Sequence, residues 1–236
     1  MAKTYSLKDT TESLEKALVD INSFYNANCL TWGGKTSEGF YYSEAIAENL
    51  LRFGIKNRLS QISPIQRKNY KVDHDGITQR RTSRYEEICA KELYKRDLPD
   101  IGRIIDYQVP LKAFQADKAG KIDLISYREN PKNDALIIEL KFKGNKETLL
   151  RAALEISTYY HMLSHENFLA SYEEFTGFKP LDIKKALLLG EGTRSYDDAR
   201  NLENLPNVRR LMQELEMEIY GLRLVEGHPE IERIAL

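Results

Sequence analysis

The chain has little cysteine, a single tryptophan and almost no net charge. Two cysteines, Cys29 and Cys89, among 236 residues exclude a disulfide framework and a cysteine-built metal knuckle. No apolar run approaches the roughly eighteen residues that a membrane helix requires. The opening stretch, MAKTYSLKDTTESLEK, lacks the apolar segment of a secretory signal. A cytoplasmic protein with no membrane partner is therefore expected. A net charge of −1 excludes a protein that grips polyanions through bulk charge. What remains is ordinary globular composition, 42% hydrophobic and 30% charged.

The charge is unevenly spread. Residues 52–84 carry Arg52, Lys56, Arg58, Arg67, Lys68, Lys71, Arg80, Arg81 and Arg84 against only Asp73 and Asp75, while residues 196–232 are rich in acids. Such asymmetry permits a local polyanion-binding face on a neutral protein.

No internal repeat or low-complexity segment is present. Leu14, Leu18, Ile21 and Tyr25 have helical spacing and predict a helix over 11–27. A second is predicted over 43–60, with Ser43 as N-cap. The polar stretch 64–83 reads as a boundary, so residues 1–83 form an N-terminal helical extension and 84–236 the core. In the core the patterns predict a helix at 84–96 and strands at 103–110, 121–127 and 135–142. A helix at 145–163 and a strand at 183–190 follow, then a helix near 206–220 and a short strand at 221–226. The order helix, three strands, helix, strand is an α/β arrangement on a mixed central sheet flanked by helices.

The strand 135–142 contains the heptapeptide IIELKFK at 137–143. Alternation puts Glu139 and Lys141 on one face and Leu140 on the other. Asp123 lies in the preceding strand, joined by a short turn, so antiparallel pairing brings Asp123 opposite Glu139. Two carboxylates and a lysine then converge. Carboxylates supply hard oxygen ligands for Mg²⁺ or Mn²⁺. The metal acidifies water and neutralises charge on a phosphate. The lysine can orient or activate that water.

Asp123, then Glu139-Leu140-Lys141, after a GKID lead-in, resembles the PD-(D/E)XK nuclease superfamily of restriction-endonuclease-like fold, over roughly residues 84–190. Ile122 stands where the motif has proline. The resemblance implies a metal-dependent deoxyribonuclease that hydrolyses phosphodiester bonds. Asp123, Glu139 and the Leu140 carbonyl would hold Mg²⁺ (or Mn²⁺), and Lys141 would act on the attacking water. It implies a further glutamate on the first core helix, facing the metal as a catalytic and metal-binding residue. The helical wheel favours Glu86 over Glu87, with Tyr85, Ile88, Cys89 and Leu93 as the buried side. Helicase-associated members carry Gln-x-x-x-Tyr on the next helix; here Glu155 and Tyr159 have that spacing, with Glu155 in place of glutamine. Arg151, Glu155, Tyr159 and Lys143 are the candidate substrate contacts. DNA is the expected partner, and a homodimer is expected if both strands of a duplex are cut.

Other constellations carry less. His161 and His165 are four apart but lack a third zinc ligand. DHDG at 73–76 lacks the later ligands of a calcium loop. The alternative function is a non-catalytic nucleic-acid-binding or assembly protein that keeps the nuclease-like fold.

Overall fold

The computed structural model describes residues 4–74, 83–114, 119–129, 132–177 and 179–236. Arg80 and Arg81 of the basic segment, and Asp75 and Gly76 of DHDG, lie outside these.

The fold is α/β. The helices are α1 (Leu7–Ala17), α2 (Tyr42–Arg52), α3 (Ile55–Leu59), α4 (Tyr85–Leu93), α5 (Leu149–Met162), α6 (His165–Thr176), α7 (Arg194–Arg200) and α8 (Pro206–Glu214). The strands are β1 (Asp97–Leu98), β2 (Gly102–Pro110), β3 (Lys121–Arg128), β4 (Asp134–Lys141), β5 (Asp182–Gly190), β6 (Met217–Val225) and β7 (His228–Ile234). They form one mixed sheet in sequence order. β1 to β4 pair antiparallel, β4–β5 and β5–β6 parallel, and β6–β7 antiparallel.

All eight residues of β4 are buried, as its apolar run predicts for a strand covered on both faces. Ala135 and Ile137 pack against α5 and the N-terminal helices; Leu136, Ile138 and Leu140 pack against α4. Each such Leu or Ile contributes about 1.5–3 kcal/mol by leaving water. The N-terminal segment shares the first of these cores, through Leu14, Phe24, Leu30 and Leu50.

Several boundaries differ from the sequence expectation, each for a local reason. α1 starts earlier, because Ser6 and Asp9 close a capping box. It stops at Ala17, and Asp20 then bonds the Asn22 amide and the Ser23 hydroxyl in a turn. The predicted helix 43–60 divides at Gly54, whose φ of 63° belongs to the left-handed region. Its N-cap is Tyr41 rather than Ser43. The last predicted helix ends at Glu214, and the chain turns through Glu216 at φ 53°. From there β6 and β7 form a hairpin in place of one short strand.

Candidate active site

The β3–β4 ladder runs from Arg128–Asp134 to Leu124–Ile138 and then stops. Beyond that point β3 pairs only with β2, and β4 only with β5, out to Lys141–Leu189. Carrying the register one residue further sets Asp123 opposite Glu139. In place of a ladder bond, the Asp123 carboxylate accepts the Leu140 N–H at 3.0 Å. A side chain thus fills the gap where the strands part and keeps the Leu140 amide satisfied.

β2 and β3 also change face at this level. In a regular strand residues two apart share a face. Here Tyr107 packs on the α4 side and Val109 on the α5 side; likewise Leu124 and Ile122. Between them, opposite one another, lie Gln108 and Asp123. Gln108 has φ 51°, and its side-chain amide donates to Asp123 Oδ1 at 2.8 Å. Nothing in the composition of the GRIIDYQVP strand signals this break.

Glu139 and Lys141 share the face that looks at α5, as alternation requires. Lys141 Nζ lies 2.7 Å from Glu139 Oε1, 2.6 Å from Glu147 Oε2 and 3.3 Å from Glu155 Oε2. Glu155 Oε1 accepts the Tyr159 hydroxyl at 2.8 Å, and the Tyr25 hydroxyl of the N-terminal segment lies 3.4 Å from that of Tyr159. Gly120 gives Tyr159 its space, since a Cβ there would collide with the tyrosine hydroxyl. α5 is fixed at its start by Thr148. The Thr148 hydroxyl accepts the Arg151 N–H at 3.1 Å and donates to the Leu30 carbonyl at 2.6 Å.

Burial governs the protonation of this cluster. It pushes the Asp123 carboxyl up to about 7, against the pull of Lys141 and the Leu140 N–H, with Glu86 and Glu155 adding to the rise. It likewise raises Glu139 well above the usual carboxylate range. Burial alone would lower Lys141, but Glu139, Glu155, Glu147 and Asp123 together raise it well above a normal lysine. These carboxylates favour the ammonium form of Lys141, which suits it to orient a water or stabilise negative charge.

The remaining predicted residues fall around this centre. Glu86 Oε1 accepts the Phe142 N–H at 3.3 Å and the Asn145 amide at 2.7 Å, so it secures the turn that leaves β4. Its charge reaches Asp123. Tyr85, expected on the buried side of α4, is 52% exposed. It stands at the first turn of the helix with Lys143 Nζ 5.1 Å from its ring centroid. Arg151 Nη2 pairs with Glu147 at 3.3 Å. Glu147, Asn145 and Gln108 were not singled out from the sequence. The spacing of Glu147 from Arg151, one helical turn, was the available signal for the first.

A divalent metal fits the donor set. Asp123, Glu139, Glu147, Glu155 and Glu86 outnumber Lys141 and Arg151. Glu139 Oε2 is buried and has no hydrogen-bond partner, a state that a cation would relieve. Among the described residues no group of three or more His, Cys, Asp or Glu side chains is placed to hold a metal ion. A metal here would rest on two side chains plus backbone and water oxygens, the habit of Mg²⁺.

The described part of the basic segment is spread out, with Arg84 at the N-cap of α4, two residues before Glu86. Lys56 pairs with Glu216 at 2.6 Å, beside the start of β6 and away from Lys141. Arg52 and Arg58 bond Asn49 and the Phe53 carbonyl. Arg67 bonds the Lys112 carbonyl, just past the end of β2. No protein-family model, curated protein or solved structure matches this chain.

Proposed function

We propose that this protein is a metal-dependent deoxyribonuclease of the PD-(D/E)XK type, with a restriction-endonuclease-like core. The observation that carries the reading is the parting of β3 and β4 at Asp123 and Glu139, with Lys141 on the face of Glu139. Strand ends that part at two carboxylates free those side chains from the ladder for a cation.

In this reading Asp123, Glu139 and the Leu140 carbonyl would hold Mg²⁺ or Mn²⁺, which would supply an acidified water and neutralise charge on the phosphate. Lys141, as an ammonium, orients the water or stabilises the oxygens of the transition state. Glu155 and Tyr159 hold Lys141 from behind, so Glu155 acts through the lysine rather than on substrate. Glu86 fixes the end of β4 and thereby the Leu140 carbonyl. Lys143 and Arg151, at the same end of the sheet, are cations that could meet flanking phosphates.

One observation favours the alternative, a nucleic-acid-binding protein without catalysis: Lys141 already has three carboxylate partners. The test is incubation with linear, circular, branched and single-stranded DNA in Mg²⁺ or Mn²⁺. Cleavage that disappears in Asp123→Ala is expected. No cleavage on any substrate, or equal cleavage by the variant, removes the nuclease reading.

A further inference from the structure

Gln108 is the one residue of β2 whose backbone and side chain both depart from strand habit at the level of the site. Its φ of 51° lies in a region that favours glycine and, less strongly, asparagine. A glutamine gains nothing there from its backbone. It does gain reach: its amide nitrogen stands 2.8 Å from Asp123 Oδ1. The other oxygen, Oδ2, takes the Leu140 N–H at 3.0 Å. The two donors come from the strands on either side of β3, so the carboxylate is held from both and cannot turn about its own axis without losing one. The change of face in β2 and β3 occurs at this same pair, which sets Asp123 at a junction that a regular strand would not provide. Strain at a sparsely populated backbone position beside a site is a pointer to function when the outlier is observed first.

We propose that Gln108 is the positioning residue for Asp123, holding its carboxylate in the one orientation that can share a divalent cation with Glu139. The inference rests on the metal-dependent reading above and adds a residue that the motif does not include. An ordinary explanation exists: a half-buried carboxylate has found a donor. The two differ in what glycine would do. If Gln108 only caps, glycine relieves the backbone and water replaces the amide. If it positions, glycine relieves the backbone and the metal site still loosens.

The experiment uses the full chain as wild type, Gln108→Gly and Gln108→Met, the last keeping side-chain bulk without the amide. Melting is followed in EDTA, Mn²⁺ binding by calorimetry, and DNA cleavage by steady-state kinetics. Gln108→Gly is expected to melt at or above the wild type. Both variants are expected to bind Mn²⁺ about tenfold or more weakly, the usual effect of removing a hydrogen bond to a ligand, with kcat lowered and KM for DNA unchanged. Wild-type binding of Mn²⁺ with equal binding by Gln108→Gly overturns the positioning role and leaves the nuclease reading standing. A wild type that neither binds Mn²⁺ nor cuts DNA removes both.

Discussion

Lys141 sits among more negative charge than it can neutralise, and the two kinds of residue in that cluster should respond oppositely to removal. Asp123 is a carboxylate that burial drives toward its protonated form; ionised at pH 8, it works against the fold. Asp123→Asn keeps the acceptor for the Leu140 N–H and deletes the charge, and the Gln108 amide turns its oxygen to the new NH2. In EDTA at pH 8 it should raise stability by about 1–2 kcal/mol, about 2–8 °C in melting temperature, after allowance for its partial contact with solvent. Lys141→Ala does the reverse. It leaves Glu139, Glu147 and Glu155 around an empty position and should destabilise by about 3–5 kcal/mol, the usual penalty for stripping one partner from a buried ionic group. Both substitutions should abolish cleavage. Urea unfolding beside the DNA assay separates the two effects. A stabilised, inactive Asp123→Asn is the signature of a functional carboxylate, since selection for stability alone would not keep it. A destabilised Asp123→Asn would mean that the aspartate is structural.

At the scale of elements, β4 and α5 were legible in the sequence because their patterns are strong. The LIIEL run has enough consecutive apolar residues for a central strand, and Leu149, Ala153 and Ile156 mark one helical face. From those two elements the facing of Glu139, Lys141, Glu155 and Tyr159 followed. What could not be read came from residues whose conformation their type does not announce. Gln108 and Glu216 have positive φ without being Gly, Asn or Asp, so neither the crossover of β2 nor the start of β6 was marked. β7, HPEIERI, is an edge strand with charged residues at alternate positions. That protects a free edge from pairing and also hides the strand from a search for apolar runs. Gly120 belongs to the readable part, in the GKID lead-in, though its reason was not visible: it clears the Tyr159 hydroxyl. Gly120→Ala should push Tyr159 away from Glu155 and release that carboxylate from the tyrosine, shifting Lys141. Cleavage should fall by up to about a hundredfold, the size of effect that about 1 Å of misplacement produces, with unfolding free energy lowered by about 1–3 kcal/mol. Gly120→Ala,Tyr159→Phe lacks the hydroxyl but keeps the ring carbon Cζ 2.6 Å from the new Cβ, so it should recover part of the stability and none of the activity. Recovery of both would show that the Tyr159–Glu155 bond is irrelevant to the site.

Across the whole molecule, the two ends of the sheet carry ionic clusters of opposite character. At the end away from Lys141, Arg128 joins β3, β4 and β6. It pairs with Asp134 at 2.6 and 2.7 Å and with Glu218 at 2.7 and 2.9 Å, and Tyr220 also donates to Glu218. Burial would raise Glu218, but the hydrogen bonds from Arg128 and Tyr220 outweigh it and hold the carboxyl near 2, below its ordinary 4.5. A lowered carboxylate stabilises fully above its unfolded value, and that stabilisation is lost as pH falls from 4.5 through about 2. Asp123, raised from 3.8 to about 7, has the other sign. Its folded form prefers the proton, so its contribution is complete below 3.8 and is lost as pH rises through about 7. These two carboxylates together favour folding most near pH 4–5, while His161, lowered from 6.5 to about 4 mainly by burial, adds stability as pH rises across that window. A divalent cation that binds the folded site stabilises by mass action and competes with the proton for Asp123, so it acts on the alkaline side alone. Melting curves from pH 3 to 9, in EDTA and in 10-fold excess Mn²⁺ over its dissociation constant, should coincide near pH 4 and diverge steadily above pH 6. Asp123→Asn should flatten the alkaline limb in EDTA and abolish the divergence, whereas Glu218→Gln should flatten only the acid limb. A Mn²⁺ effect of equal size at pH 4 and pH 8, or one that survives in Asp123→Asn, would place the cation somewhere other than the strand ends where β3 and β4 part.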